Sequence, residues 1–283
     1  MIKLGEIQSL TIERRAEHGV YLKDLESGGE VLLPRKYVSE DMHTGESVEV
    51  FVYKDSEDRL VATTEKPLLT VGKFALLKVV QVNSTGAFLD WGLVEKNLLV
   101  PFGNQKQRMV EGQSYLVGLY EDRVTHRLAG TARLAVMLED AAGRLAEGEA
   151  VEIIVWEKTD LGVKVIINQK YSGLIYHNEI FRKLRTGDSL MAYVKTVRGD
   201  GKVDISLNPP GYAAVEPNAQ QILDKLEKSG GFFPATDKSD PEEIKKHFAM
   251  SKKLFKKSIG ALYKQRLIDI REDGIWRVGN NGG

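Results

Sequence analysis

Three times along this chain a glycine opens a run of alternating residues, and three times a second glycine follows at nearly the same distance. The first set is Gly19-Val20-Tyr21-Leu22, Gly86-Ala87-Phe88-Leu89 and Gly162-Val163-Lys164-Val165; the second is Gly45-Glu46, Gly112-Gln113 and Gly187-Asp188. The two glycines stand 26, 26 and 25 residues apart. Between them each unit carries a short apolar run: Val31-Leu32-Leu33-Pro34, Leu98-Leu99-Val100-Pro101 and Leu174-Ile175-Tyr176. Each unit closes on a basic residue that leads a last strand, Arg59, Arg127 or Lys202, lying 14, 15 or 15 residues past the second glycine. Self-similarity at a fixed period restricts the chain to an array of like units. Alternation with a period of two marks half-buried strands, so each unit holds five short strands. A lone sheet of this size would present open edges, and closure into a small barrel removes them.

The period sets the limits of the units: a first barrel over residues 1–66, a second over 67–132 and a third over 147–209. Residues 133–146, rich in Ala, Leu and Glu, are expected to form a connecting helix. After Asn208-Pro209-Pro210-Gly211 the pattern changes, because Pro and Gly do not continue a central strand. The tail, 214–279, reads as helices over 218–228, 240–247 and 252–264. Asp240 caps the second, with Pro241 at its first position, and Ser251 caps the third, whose Phe255, Ile259 and Leu262 share one face. Leu267-Ile268-Asp269-Ile270 and Gly274-Ile275-Trp276-Arg277-Val278 form a hairpin. Three helices followed by a hairpin is the order of a winged-helix domain, so the expected fold is mainly β, with three tandem barrels and a C-terminal winged helix.

Composition narrows the function. The chain has no cysteine, which removes disulfides, thiolate metal sites and cysteine nucleophiles and fits a reducing compartment. Met1-Ile2-Lys3-Leu4-Gly5-Glu6 lacks a signal-type apolar stretch, and no run approaches the roughly 20 apolar residues of a membrane helix. The expected location is the cytoplasm. There is no phosphate-loop, His-Glu-x-x-His or Gly-x-Ser-x-Gly motif, and the five histidines show no metal-ligand spacing. Glu121-Asp122 reads as a turn and Asp240-Pro241-Glu242-Glu243 as a helix start, where acidic groups favour the dipole. These features point to a protein without catalytic activity, metal, cofactor, small-molecule substrate or membrane partner. Net charge is zero, but residues 1–66 carry 9 basic and 14 acidic groups and residues 210–283 carry 13 and 10. An acidic first unit repels a phosphate backbone, so little direct contribution to nucleic-acid binding is expected from it.

The run Gly86-Ala87-Phe88-Leu89-Asp90 resembles the signature strand of the S1 RNA-binding domain, an OB-fold. Gly173-Leu174-Ile175-Tyr176, Gly187-Asp188 and Val203-Asp204-Ile205-Ser206-Leu207 resemble its later strands, whereas His18-Gly19-Val20-Tyr21 departs from the signature. Three such barrels plus a winged helix are similar to the conserved virulence factor B family of bacterial RNA-binding regulators. The resemblance implies a cytoplasmic, non-enzymatic role in which barrels and winged helix bind RNA together and influence gene expression after transcription.

Single-strand binding needs aromatic faces on which bases stack and cations that follow the backbone. By strand parity Ala87, Leu89 and Trp91 point to the core while Phe88 faces outward, to stack on a base or to pack under a loop or at a domain interface. Tyr21 and Lys164 hold the same outward position in the first and third units. Tyr176 aligns with a position where the S1 family often places a histidine, and is either an RNA contact or plain surface; His177 points the other way, as a structural residue. The closing cations Arg59, Arg127 and Lys202 lie where the S1 family often contacts RNA, or are solvated turn residues. In the tail, Lys252, Lys253, Lys256, Lys257 and Lys264 lie opposite the apolar face of the third helix, and residues 251–267 hold six basic groups and no acidic one. Such a stripe attracts phosphates, or is a solvated face. Arg271 and Arg277 extend it along the wing. The expected partner is single-stranded RNA, with the ribosome or transcription machinery as further candidates; a protein-docking role, or duplex-DNA binding through the winged helix, is the alternative.

Overall fold

A computed structural model describes residues 1–180, 182–210 and 217–278. Gly211, and residues 214–216 and 279 at the limits expected for the winged helix, lie outside the described residues. The chain divides into two compact units, 1–207 and 208–283.

The first unit is built from three five-stranded elements. Strands β1 (Ile7–Ala16), β2 (Gly19–Lys23), β3 (Glu30–Pro34), β4 (Ser47–Lys54) and β5 (Leu60–Thr63) close in the order β1-β2-β3-β5-β4. Strands β6 (Phe74–Val82), β7 (Gly86–Asp90), β8 (Leu98–Pro101), β9 (Ser114–Glu121) and β10 (Leu128–Thr131) form a sheet ordered β10-β9-β6-β7-β8. Its two edges lie side by side, since a Cβ on Gly130 of β10 would meet the Val100 and Leu98 side chains of β8 at 2.7 and 3.2 Å. Strands β11 (Ala150–Lys158), β12 (Gly162–Ile167), β13 (Tyr171–Tyr176), β14 (Ser189–Val197) and β15 (Val203–Ser206) close as the first set does. A 3-10 turn follows the third strand each time, at Arg35–Tyr37, Phe102–Asn104 and His177–Glu179.

The repeated glycines have separate physical reasons. A Cβ on the first of each pair would stand 2.0 Å from the Leu33 carbonyl oxygen at Gly19, 2.4 Å from that of Val100 at Gly86 and 2.0 Å from that of Ile175 at Gly162. Only glycine lets the second strand run this close to the third. The second glycine of each pair, Gly45, Gly112 or Gly187, adopts φ of +92°, +80° or +89°, which an L side chain resists. Its N–H donates to the carbonyl of Ile12, Val79 or Val155, and the N–H of that same residue donates to the carbonyl of Glu46, Gln113 or Asp188, all six bonds at 2.8–2.9 Å. At those residues the first strand bulges, between Ile12 and Arg14, Val79 and Gln81, and Val155 and Glu157. The bulge sharpens the twist, so the first strand keeps its pairing with the second strand across the kink while its pairing with the fourth strand ends before it.

Residues 133–146 correct the sequence reading, because the expected helix is a single 3-10 turn at Leu134–Met137. Leu134, Met137 and Leu138 pack with Phe74 and Leu116 of the second barrel and with Ile154, Trp156 and Ile166 of the third, while Ala141 and Leu145 enter the third core. A segment serving two cores must extend along both, and Gly143 at φ +69° ends any helical run. Tertiary packing overrides helix propensity here.

The second unit contains α1 (Pro217–Lys228), β16 (Phe232–Phe233), α2 (Pro241–Phe248), α3 (Lys252–Lys264), β17 (Ile268–Arg271) and β18 (Gly274–Arg277), with sheet order β16-β18-β17. It has the winged-helix order, including a two-residue strand too short to leave a periodic signal. Asp240 accepts from the Glu242 N–H at 2.8 Å and Ser251 from the Leu254 N–H at 3.3 Å, so both expected caps form. Phe255, Ile259 and Leu262 are buried with Ile222, Leu226 and Ile275. Among the described residues no helix is long and apolar enough to cross a membrane.

Adding one methyl to the glycine contact tests its role. Gly86→Ala is expected to lower unfolding stability in urea by about 1–3 kcal/mol through overpacking. Gly103→Ala, where an added Cβ meets nothing within 4 Å, stays within about 0.5 kcal/mol of the parent.

Candidate nucleic-acid interface

An OB barrel presents ligands with the face of its second and third strands, bordered by the loops joining strands one to two and four to five. On the second barrel this face is a cleft of about 430 Å³. Phe88 projects into it from β7, half-buried, while Ala87, Leu89 and Trp91 are at most 1% exposed, as parity predicts. Tyr120 of β9 adds a second half-buried ring, its hydroxyl accepting from Asn104 Nδ2 at 2.5 Å. Arg127 and Lys96 supply positive charge.

One wall belongs to the first barrel, whose Tyr53, Lys54, Asp55 and Ser56 also line the cleft. The two barrels share apolar contact: Phe51 of β4 meets the Trp91 ring edge-on with centroids 5.6 Å apart, and Phe51, Tyr53 and Val61 join the second barrel's core. Burial pushes the Tyr53 hydroxyl up to about 12. Arg127 reaches across to Asp58, with Nε to Oδ1 at 2.6 Å and Nη2 to Oδ2 at 2.5 Å, and this fork holds the Asp58 carboxyl below its usual range. Lys36 pairs with Glu95 across the same junction. The Lys96 ammonium donates to the Lys54 carbonyl; burial and, after it, the nearby Arg127 push it below the usual lysine range.

The equivalent face of the third barrel is a cleft of about 620 Å³ with a different chemistry. Lys164 stands where Phe88 does and bonds Glu157 at 3.0 Å. Lys106 of the second barrel holds the same carboxylate at 2.6 Å, and both ammoniums lie 5.2 Å from the Trp156 ring centre. Burial alone would raise the Glu157 carboxyl, but the two lysines together bring it below its usual range. Arg198 forks onto Asp204, the shortest of the bonds at 2.7 Å, and donates to the Tyr176 hydroxyl, so Tyr176 serves as its acceptor. Lys202 lines the cleft and pairs with Asp200 at 2.7 Å. Glu139, Asp140 and Asp160 add negative charge to the rim. His177 donates to the Thr159 carbonyl at 3.0 Å.

On the first barrel Tyr21 lies under the Arg14 guanidinium, 3.7 Å from the ring centre, and Arg59 is held by Asp55 and Glu57 at 2.8 Å each. Folding therefore brings Phe88 and Arg127 together in one cleft and Lys164 and Lys202 in another, while Tyr21 stands apart from both. The sequence reading missed Tyr53, Tyr120, Lys96 and Arg198. Tyr53 and Tyr120 each stand six residues past a matching serine, Ser47 and Ser114, a repeat signal present in the sequence. Arg198 opens the turn that Asp55 and Asp122 open in the other units.

In the winged helix Lys253, Lys256, Lys257 and Lys264 are exposed on α3. Folding brings Asp237 to Lys256 at 3.1 Å and the Lys238 carbonyl to Lys252 at 3.4 Å, so the helix is acid-free in sequence but not in space. Arg271 lies 3.5 Å from Asp269 and over the Trp276 ring, and Arg277 pairs with Glu227 at 3.1 Å.

Parts of this chain match known domain families, and nearly all of it aligns with known proteins. Residues 220–276 match the CvfB-like winged helix domain and residues 4–65 the S1 domain, the latter falling on the unit whose motif departs from the signature. Conserved virulence factor B of Staphylococcus aureus is 29% identical over 281 residues, covering 96% of this chain and 93% of that one. The chain is similar to conserved virulence factor B along nearly its whole length. The Bacillus subtilis protein YitL is 29% identical over 267 residues, 92% of this chain and 89% of its own. Among solved structures, a Streptococcus pneumoniae multidomain protein with nucleic acid binding domains aligns over 97% of this chain and 98% of that chain at 26% identity, with a TM-score of 0.43. The domain content is of the nucleic-acid-binding type.

The Asp58–Arg127 pair gives a pH test. Because its carboxyl is depressed in the folded state, Asp58 stabilises the junction fully above the unfolded value of about 4, and that contribution is lost as pH falls through the depressed value. Asp58→Asn is therefore expected to show a smaller drop in melting temperature than the parent between about pH 5 and pH 2, read from thermal melts.

Proposed function

We propose that the chain binds single-stranded RNA in the cytoplasm and acts without catalysis as a post-transcriptional regulator of gene expression. The cleft of the second barrel carries the reading: a half-buried Phe88 ring beside Tyr120, with Lys96 and Arg127 in reach, joins a stacking surface to a backbone-binding charge. Lys164, Arg198 and Lys202 provide a more ionic continuation on the third barrel, and the α3 lysines a further attraction for phosphates. The regulatory role follows the resemblance to the virulence factor B proteins. Protein docking through the winged helix has one observation in its favour, the carboxylate partners of Arg271 and Arg277, which leave the wing less cationic than its sequence.

Phe88→Ala is expected to change the melting temperature little, since Phe88 lines the cleft and is not part of the buried core, and to weaken binding of a short single-stranded RNA by about 1–3 kcal/mol in an anisotropy titration. A lowered melting temperature with unchanged affinity would make Phe88 a packing residue. Replacing Lys252, Lys253, Lys256 and Lys257 together with Gln is expected to flatten the dependence of log affinity on log salt by up to about 0.7 for each phosphate no longer neutralised. An unchanged slope would assign the tail to protein docking.

A further inference from the structure

The acidic first barrel does not stand outside the proposed RNA site, because it builds one wall of the second barrel's cleft. Tyr53, Lys54, Asp55 and Ser56 face Phe88, Tyr120, Lys96 and Arg127 across a space of about 430 Å³. That volume falls within the range of about 300–1,000 Å³ typical of pockets that enclose a small ligand. Rings come from both barrels, and two cations from the second. Lys96 and Arg127 repel each other, and burial already disfavours the Lys96 charge, so an anion entering the cleft relieves both. Asp55 and Asp122 line the cleft, Glu65 and Glu95 act on Tyr53 from beside it, and Asp58 grips the cleft cation Arg127 in a fork. The two-point grip of a carboxylate on a guanidinium is the geometry by which arginine also holds a phosphate. Asp58 is itself half exposed, at 50% of its side chain, so little beyond this pair keeps it in place.

We infer that the cleft between the first two barrels takes one unpaired nucleotide of an RNA chain, with Asp58 occupying the position of its phosphate on Arg127 until the RNA displaces it. The base lies among Phe88, Tyr120 and Tyr53, and the phosphate exchanges with the Asp58 carboxylate while Lys96 adds charge. The inference rests on the single-stranded RNA reading and adds a defined pocket, a barrel that contributes to it, and an internal competitor. It also revises the expectation that the first unit contributes little: its negative charge is part of how the site is held ready.

The test uses the full chain and a short labelled oligouridylate. Asp58→Asn is expected to tighten binding about two- to fivefold, the scale of an exposed ion pair. The same variant should steepen the slope of log affinity against log salt by about 0.7, because Arg127 then neutralises a phosphate without releasing a carboxylate. Both changes should vanish when Asp58→Asn is placed on Arg127→Gln. Lys96→Met, which keeps the aliphatic stem, is expected to weaken binding about tenfold. If Asp58→Asn leaves affinity and slope unchanged, or weakens binding, while Phe88→Ala still weakens it, the exchange at Arg127 is wrong and the RNA reading stands. If neither Phe88→Ala nor the α3 lysine substitutions alter binding, the RNA reading fails and this pocket with it.

Discussion

Each barrel depends on a kink in its first strand, held by a glycine turn. A single strand cannot lie flat against neighbours on both sides of a small barrel, so it must coil, and coiling withdraws one residue from the regular ladder. The N–H and C=O of Ile12, Val79 and Val155 are the groups at risk. The turns at Gly45-Glu46, Gly112-Gln113 and Gly187-Asp188 satisfy both, each with one bond given and one received. Left unpaired in a barrel wall, either group would carry a desolvation penalty. The left-handed glycine makes the turn reach the kink, and the kink sets how the second and third strands face outward.

The same strand geometry yields three faces of different character. Where the outward residue is Phe88 the face has a ring, where it is Lys164 it has a charge, and where it is Tyr21 the ring is covered by Arg14. The scaffold is repeated while its decoration is not. Packing amplifies the differences, because the first barrel leans its β4–β5 hairpin on the second and buries Trp91 against Phe51. Gln169 of the third barrel exchanges bonds with both backbone groups of Phe74, at 2.7 and 3.3 Å. The clefts are thus bordered by side chains and backbone groups of neighbouring barrels.

Much of this was legible in the sequence. Glycine spacing located the strands, alternation assigned Ala87, Leu89 and Trp91 to the core and Phe88 to the face, and Asp240, Pro241 and Ser251 placed the helix starts of the tail. These signals are local: a side chain's face follows from a period of about 2.0 or 3.6, and a cap bonds a backbone group two or three residues away. The segment 133–146 had a local signal too, and it pointed to a helix because composition cannot register that Leu134 and Ala141 belong to different cores.

The tertiary structure alone decided what the outward residues meet. Arg127 and Asp58 are 69 residues apart in sequence and form a two-point ion pair. Asp237 comes to a lysine stripe that contains no acid of its own, and Tyr53 crosses a barrel boundary to line the cleft of the next. No periodicity encodes such contacts, because they depend on how completed barrels and helices dock. The sequence by itself determined the elements, their faces and the kinds of chemistry those faces carry. Folding determined which charges are paired, which rings share a cleft, and therefore where a ligand has room to enter, since electrostatic and steric complementarity act between residues that the chain brings together only in space.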